Sequence, residues 1–163
     1  GLGDVYKRQV HDSGVMKSGH ANRVIADEIV RARRYGHSVC LALLGIEGWE
    51  HVVEDRGQDA ERQFLQVAAA VKNALRPEDV VALERPGRLL VLLPHTDLDG
   101  ARIAVDKVRQ IARTSSGCEA RAGLAEFPHD AADPVELLTE ATIALEFAFR
   151  SELGVASRAL LSK

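Results

Sequence analysis

Arg76 and Asp79 stand three apart in Arg76-Pro77-Glu78-Asp79, a planar fork of donors beside a carboxylate. The fork matches two adjacent acceptors on a phosphate or a base edge, and the carboxylate matches two adjacent donors. The pair also has a plain structural use. An arginine at a helix C-terminus is favoured by the dipole, and Pro77 and Asp79 suit a turn into a following strand. Further on, Arg85-Pro86-Gly87-Arg88 joins two apolar runs and reads as a β-hairpin with a basic tip. Arg85 and Arg88 there can meet an anionic ligand or stay solvated. His95-Thr96-Asp97-Leu98-Asp99 gathers acids, but Thr96 as a cap and Asp97 and Asp99 in a first turn explain it better than a metal does.

Other chemistry is sparse. The six histidines show no His-x-x-x-His spacing, and His37, His51 and His129 read as surface or loop residues. No Gly-x-Ser-x-Gly, P-loop or dinucleotide fingerprint occurs, so no metal or cofactor is expected from the spacing of residues. Cys40 and Cys118 are too few for a disulfide framework and read as small core residues in a reducing, cytoplasmic setting. A net charge of -3 gives no global reason to expect nucleic acid. No apolar run reaches the roughly 18 residues of a membrane span.

The elements that must position these residues follow from periodicity. Ala21 to Tyr35 is helical, with Val24, Ile25, Ile29 and Ala32 on one face, Arg23, Arg31, Arg33 and Arg34 on the solvated one, and Gly36 as the stop. Residues 38 to 46 form a continuous apolar strand, expected to be buried on both sides. A short helix over 49 to 56 and a longer one over 58 to 75 precede the hairpin of 80 to 94. A helix from the acidic cluster to about Thr114 follows, then a strand within CEARAGLAEF. Asp133-Pro134-Val135-Glu136 is a strong helix start, with Asp as cap and Pro first in the helix, and that helix runs to about Glu152. GVASRALLSK supplies a weak last strand. The expected class is α/β (α+β), a central mixed sheet of about five strands flanked by helices. Residues 1–9 read as a non-native leader and 10–163 as a single domain, a fragment of a longer signalling protein.

ARRYGHSVCLALLGIEGWE, followed by RPEDVVALERPGRLLVLLP, RAGLAEFP and ATIALEFAFR, resembles the GGDEF domain family of diguanylate cyclases over about residues 13 to 160. The resemblance implies the nucleotide-cyclase palm, whose first strand and central hairpin hold two metal ions and GTP for the synthesis of cyclic di-GMP. The family's Asp-x-Asp-x-Phe falls here on Gly45-Ile46-Glu47-Gly48-Trp49, and its signature on Arg85-Pro86-Gly87-Arg88-Leu89. Gly45, Glu47, Gly87 and Arg88 are therefore degenerate catalytic positions, since magnesium needs carboxylate oxygens and not a guanidinium. The base-reading Asn and Asp fall on Val53 and Arg62, a triphosphate lysine on Phe149, and an Asp seven residues before it on Thr142. The N-terminal Thr-Gly-Leu-x-Asn-Arg is reduced to Ser13-Gly14-Val15-Met16-Lys17-Ser18.

What the resemblance leaves intact is the inhibitory Arg-x-x-Asp, here Arg76 and Asp79, with Arg102 and Arg109 as candidate secondary donors. The reading is a catalytically inactive GGDEF-like regulatory domain that binds cyclic di-GMP through this pair. Its competitors are a nucleotide-independent module for homodimerisation or for docking an upstream sensor or partner protein, and a residual cyclase or heterodimer half-site.

Overall fold

The computed structural model describes residues 13–161; the expected leader at 1–9 lies outside them. In chain order the elements are β1 (Met16–Lys17), α1 (Ser18–Tyr35), β2 (Val39–Ile46), α2 (Trp49–Arg56), α3 (Gln58–Ala74) and β3 (Val80–Arg85). They continue with β4 (Arg88–Pro94), α4 (Leu98–Ser116), β5 (Ala120–Phe127), α5 (Pro134–Arg150), β6 (Val155–Ser157) and α6 (Arg158–Leu161). The strands form one mixed sheet in the order β1-β3-β4-β2-β5-β6. β2 runs antiparallel to β4 and β5, whereas β1 pairs with β3, and β6 with β5, in parallel.

β2 is buried at every position because helices cover both of its faces. Cys40, Ala42, Leu44 and Ile46 point to the side of α3 and α4, where Val67, Ala68, Val71, Val105 and Val108 meet them. Val39, Leu41 and Leu43 point to the side of α1 and α5, against Ile25, Ile29, Leu137 and Leu145. The two-residue alternation of a strand thus feeds two cores from one segment. Each fully buried leucine or isoleucine contributes roughly 1.5–3 kcal/mol. On the first face, burial chiefly, helped by the charges of Glu126, Asp97 and Asp130, pushes the Cys40 thiol up and leaves it an inert core residue. Cys118 is only half-buried.

Helix ends match the local chemistry with one correction. Gly36 closes α1 in the left-handed region (φ 72°), its N–H bonded to Ala32 O. Asp133 caps α5 by accepting from Glu136 N at 2.8 Å, while Glu136 accepts from Ala132 N. For α4 the cap is Asp97, which accepts from Gly100 N at 2.8 Å, and not Thr96. The Thr96 hydroxyl is already engaged with Pro94 O and Arg76.

Among the described residues the sheet has six strands where about five were expected. The addition is β1, just two residues long and paired with Ala82 and Leu83 of β3. Of the expected last strand only Val155–Ser157 pairs, and Arg158–Leu161 turns into a short helix. Among the described residues no helix is long and apolar enough to cross a membrane.

Candidate functional site

Two neighbourhoods hold the residues singled out in the sequence. The first lies at the end of β2 and the tip of the β3–β4 hairpin. Gly45 and Arg88 are directly paired across β2 and β4, and Ile46 N donates to Gly87 O, so the loop after β2 and the hairpin tip are tied together. Pro86 and Gly87 make the turn, with Gly87 at φ 78°. A Cβ on Gly87 would overlap the Trp49 indole, so the turn needs glycine for its backbone and for the ring packed on it.

The tip is basic in sequence but neutralised in space. The strand register slips between Leu83 and Arg85, and the intervening Glu84 reaches both arginines. Arg88 Nε donates to Glu84 Oε2 at 2.7 Å and Arg85 Nε to the same oxygen at 3.0 Å. Burial would raise the Glu84 carboxyl, but the hydrogen bond and charge of Arg88, then those of Arg85, hold it below its ordinary range. That stabilisation is present above the ordinary carboxylate pKa and is lost as pH falls through the lowered one. Arg88 is 14% exposed and committed; Arg85, at 60%, is a solvated tip residue.

On the α5 side of the same strand end, the Phe149 ring lies on Gly45. A Cβ there would sit 2.8 Å from Phe149 Cε2. Glu47 turns away to Arg121 at 3.3 Å, and Thr142 bonds its own helix at Leu138 O. Trp49 and Phe64, with ring centres 5.2 Å apart, wall a depression of about 440 Å³ that also takes in Lys17, Glu61, Leu83, Glu84, Arg85 and Pro86. Neither Val53 nor Arg62 lines it. Gly45→Asp is expected to lower stability by about 1–3 kcal/mol, since the added carbons must displace the ring. Phe149→Ala in that background should recover part of the loss, an interaction that thermal melts of both single variants and the double would read.

The second neighbourhood is Arg76 and Asp79, in the turn between α3 and β3. Asp79 is 2% exposed, and its carboxylate is already filled. Oδ2 accepts from Arg76 N at 2.9 Å and Nε at 3.2 Å, and Oδ1 from Nη2 at 2.9 Å. The same Nη2 reaches Pro94 O and Thr96 Oγ1, both at 2.8 Å. Lys72 Nζ ties the turn down by donating to Asp79 O at 2.6 Å. The hydrogen bond it donates to Asp79, then the charges of Asp79 and Glu78, push the Arg76 guanidinium further up against a burial penalty.

Arg76 is nevertheless about half exposed, and Nη1 makes no hydrogen bond among the described residues. It opens on a depression of about 350 Å³ shared with Leu93, His95, Thr96, Asp97, Gly100 and Ala104. The proposed secondary donors do not line this depression. Arg109 donates to Ala120 O and Glu119 at 2.8 Å each, farther along α4, and Arg102 is exposed on α4. Spacing did not reveal a third grouping, Glu28, His37 and His95, which come together from three separate segments.

The family model described as "Diguanylate cyclase, GGDEF domain" matches residues 17–152. The diguanylate cyclase DgcP of Pseudomonas aeruginosa is 29% identical over 86 residues, which take in 52% of this chain and only 13% of that protein. Among solved structures, the GGDEF domain of YfiN (TpbB) from Pseudomonas aeruginosa superposes with a TM-score of 0.80 at 18% identity, covering 89% of this chain and 98% of that one. SiaD of the same organism, solved with its activator SiaC, gives 0.79 at 24% identity over 94% of this chain and 68% of that one. The GGDEF domain of DgcB from Caulobacter crescentus, solved with cyclic di-GMP, gives 0.78 at 15% identity over 87% and 88%. At these identities the likeness is one of fold.

Proposed function

We propose, since this chain belongs to the GGDEF domain family, that it is a catalytically inactive member acting as a regulatory domain, with Arg76 as its contact to cyclic di-GMP. The observation that carries the loss of catalysis is the Phe149 ring on Gly45. Where the family pattern has a metal-binding carboxylate, this chain has no side chain and an aromatic wall. Across the strand, Arg88 adds a cation, and the nearby Glu84 carboxylate is taken up by Arg88 and Arg85 and not left open to magnesium.

For the ligand, support comes from the half-exposed guanidinium and its unused Nη1 edge. Asp79 has a different role in this reading from the one the resemblance implied. With both oxygens taken by Arg76, it is a positioning residue that holds the fork against Pro94 and Thr96. DgcB, the relative solved with cyclic di-GMP, lends the ligand its chemical plausibility.

The test is calorimetric titration of cyclic di-GMP into the chain. Binding in the micromolar range or tighter is expected, weakened at least tenfold by Arg76→Lys, which keeps charge but not the fork, and unaffected by Arg88→Ala. Heat absent from a folded sample would overturn the ligand. Magnesium-dependent turnover of GTP would overturn the inactivity. The filled Asp79 carboxylate favours a second reading, a nucleotide-independent docking module, which a folded but silent sample would leave in place.

A further inference from the structure

Glu28 on α1, His37 in the loop after α1 and His95 just after β4 bring one carboxylate and two imidazoles together, with ligand atoms all within 4.8 Å of one another. The backbone beneath them is hydrogen-bonded. Val39 pairs with Pro94 at the end of the β2–β4 ladder, and Thr96 N donates to Ser38 O, so the two histidine-bearing loops are laced side by side. The rings stack with centres 3.6 Å apart and planes 28° from parallel. His95 is held there by a left-handed backbone (φ 53°), a region a non-glycine residue adopts at a cost.

From these groups we infer that Glu28, His37 and His95 form a site for a divalent transition metal of the zinc class. Two imidazoles and one carboxylate are the ligand types such ions select, and three protein ligands leave a fourth position for water or an incoming donor. Glu28 is 6% exposed, yet only one of its oxygens is used: Oε2 accepts from Arg31 Nε at 3.0 Å and Nη2 at 2.6 Å. Oε1 has no hydrogen bond among the described residues, which leaves the carboxylate with an oxygen to give to an ion. Arg31 then orients the carboxylate from behind, as outer partners of metal ligands do.

His37 Nδ1 lies 3.4 Å from Ser38 O, the acceptor that would keep the proton on Nδ1 and leave the Nε2 lone pair for the ion. His95 makes no hydrogen bond among the described residues and lines an open depression, which gives the ion a way in. A tetrahedral ion asks for ligand separations of about 3.3 Å. Binding therefore requires the two rings to turn out of their stack, a side-chain motion that leaves the backbone in place. The argument for the ion does not rest on the nucleotide reading, although His95 borders the depression onto which Arg76 opens.

The test uses chelator-stripped, tag-free protein titrated with Zn²⁺ by calorimetry, with Co²⁺ absorption as a readout of coordination. One equivalent bound in the micromolar range or tighter is expected, with a rise in melting temperature because the ion binds the folded state. His37→Ala and His95→Ala should each weaken binding at least tenfold, and Glu28→Gln likewise, with folding of all three checked by circular dichroism. His51→Ala, which removes an exposed histidine beside Glu54, and Cys118→Ser should bind as the parent does. Sub-stoichiometric binding, or affinity that survives loss of His37 and His95, would overturn the site.

Discussion

Gly123→Ala is expected to cost the protein a large share of its stability. Gly123 sits in β5 on the face covered by α5, and a methyl group there would overlap Leu145 N and Ala141 O and come within 2.8 Å of Ala144 C. These are backbone atoms of a helix, so no rotamer change relieves the overlap. The helix must lift off the sheet, drawing Leu137, Ala141 and Leu145 out of the core they share with Leu41 and Leu43. A loss of about 3 kcal/mol or more follows, the upper end for overpacking, against a total stability of about 5–15 kcal/mol. Urea unfolding checks this. Gly19→Ala is the control, since among the described residues nothing lies within 4 Å of that position in α1 and removing a helical glycine should be neutral or gain up to about 1 kcal/mol. A Gly123→Ala variant within 1 kcal/mol of the parent, on that same order-of-magnitude scale, would show that α5 does not lie this close to the sheet.

Arg76→Ala is expected to lower stability as well as ligand affinity, by about 2–3 kcal/mol. It strands the 2%-exposed Asp79 carboxylate with a single remaining partner, the backbone N–H of residue 76. Breaking a buried pair from one side typically costs about 3–5 kcal/mol, and the half-exposure of Arg76 brings the figure down here. Adding Asp79→Asn, which removes the stranded charge, should return part of the loss. A double-mutant cycle by urea unfolding measures the coupling, and additive losses would mean that the pair does not hold the turn. The same unfolding data give the folding loss against which any loss of binding by Arg76→Ala is to be read.

Sequence reading located what depends on local periodicity and capping. The eight buried positions of β2 show as an unbroken apolar run, and Asp133-Pro134-Val135-Glu136 announces the start of α5 through chemistry that acts within one turn. It missed what depends on contacts between segments. β1 is too short to have a period, and its pairing with β3 is set by the fold. Thr96 has the right residue type for a cap, but its hydroxyl is drawn to Pro94 and Arg76, which leaves the role to Asp97.

The same limit applied to the sites. The family resemblance put Gly45 on the first strand and Arg88 on the central hairpin, and these two residues pair across β2 and β4, but the acid that neutralises the tip, Glu84, meets both arginines only through a slip in the hairpin register. Phe149 over Gly45 depends on how closely α5 approaches, and Glu28, His37 and His95 are joined by packing of three segments. Spacing rules such as His-x-x-x-His find ligands on one helix and are blind to such a trio.

The two strands that end the sheet, β1 and β6, pair over two and three residues respectively, and each runs directly into a helix. A rim that short offers an incoming chain very few ladder bonds, which guards against open-ended stacking of sheets into fibrils. Ladder pairing through these two short strands therefore gives association between copies little to build on, and side-chain contacts can be tuned or switched one residue at a time.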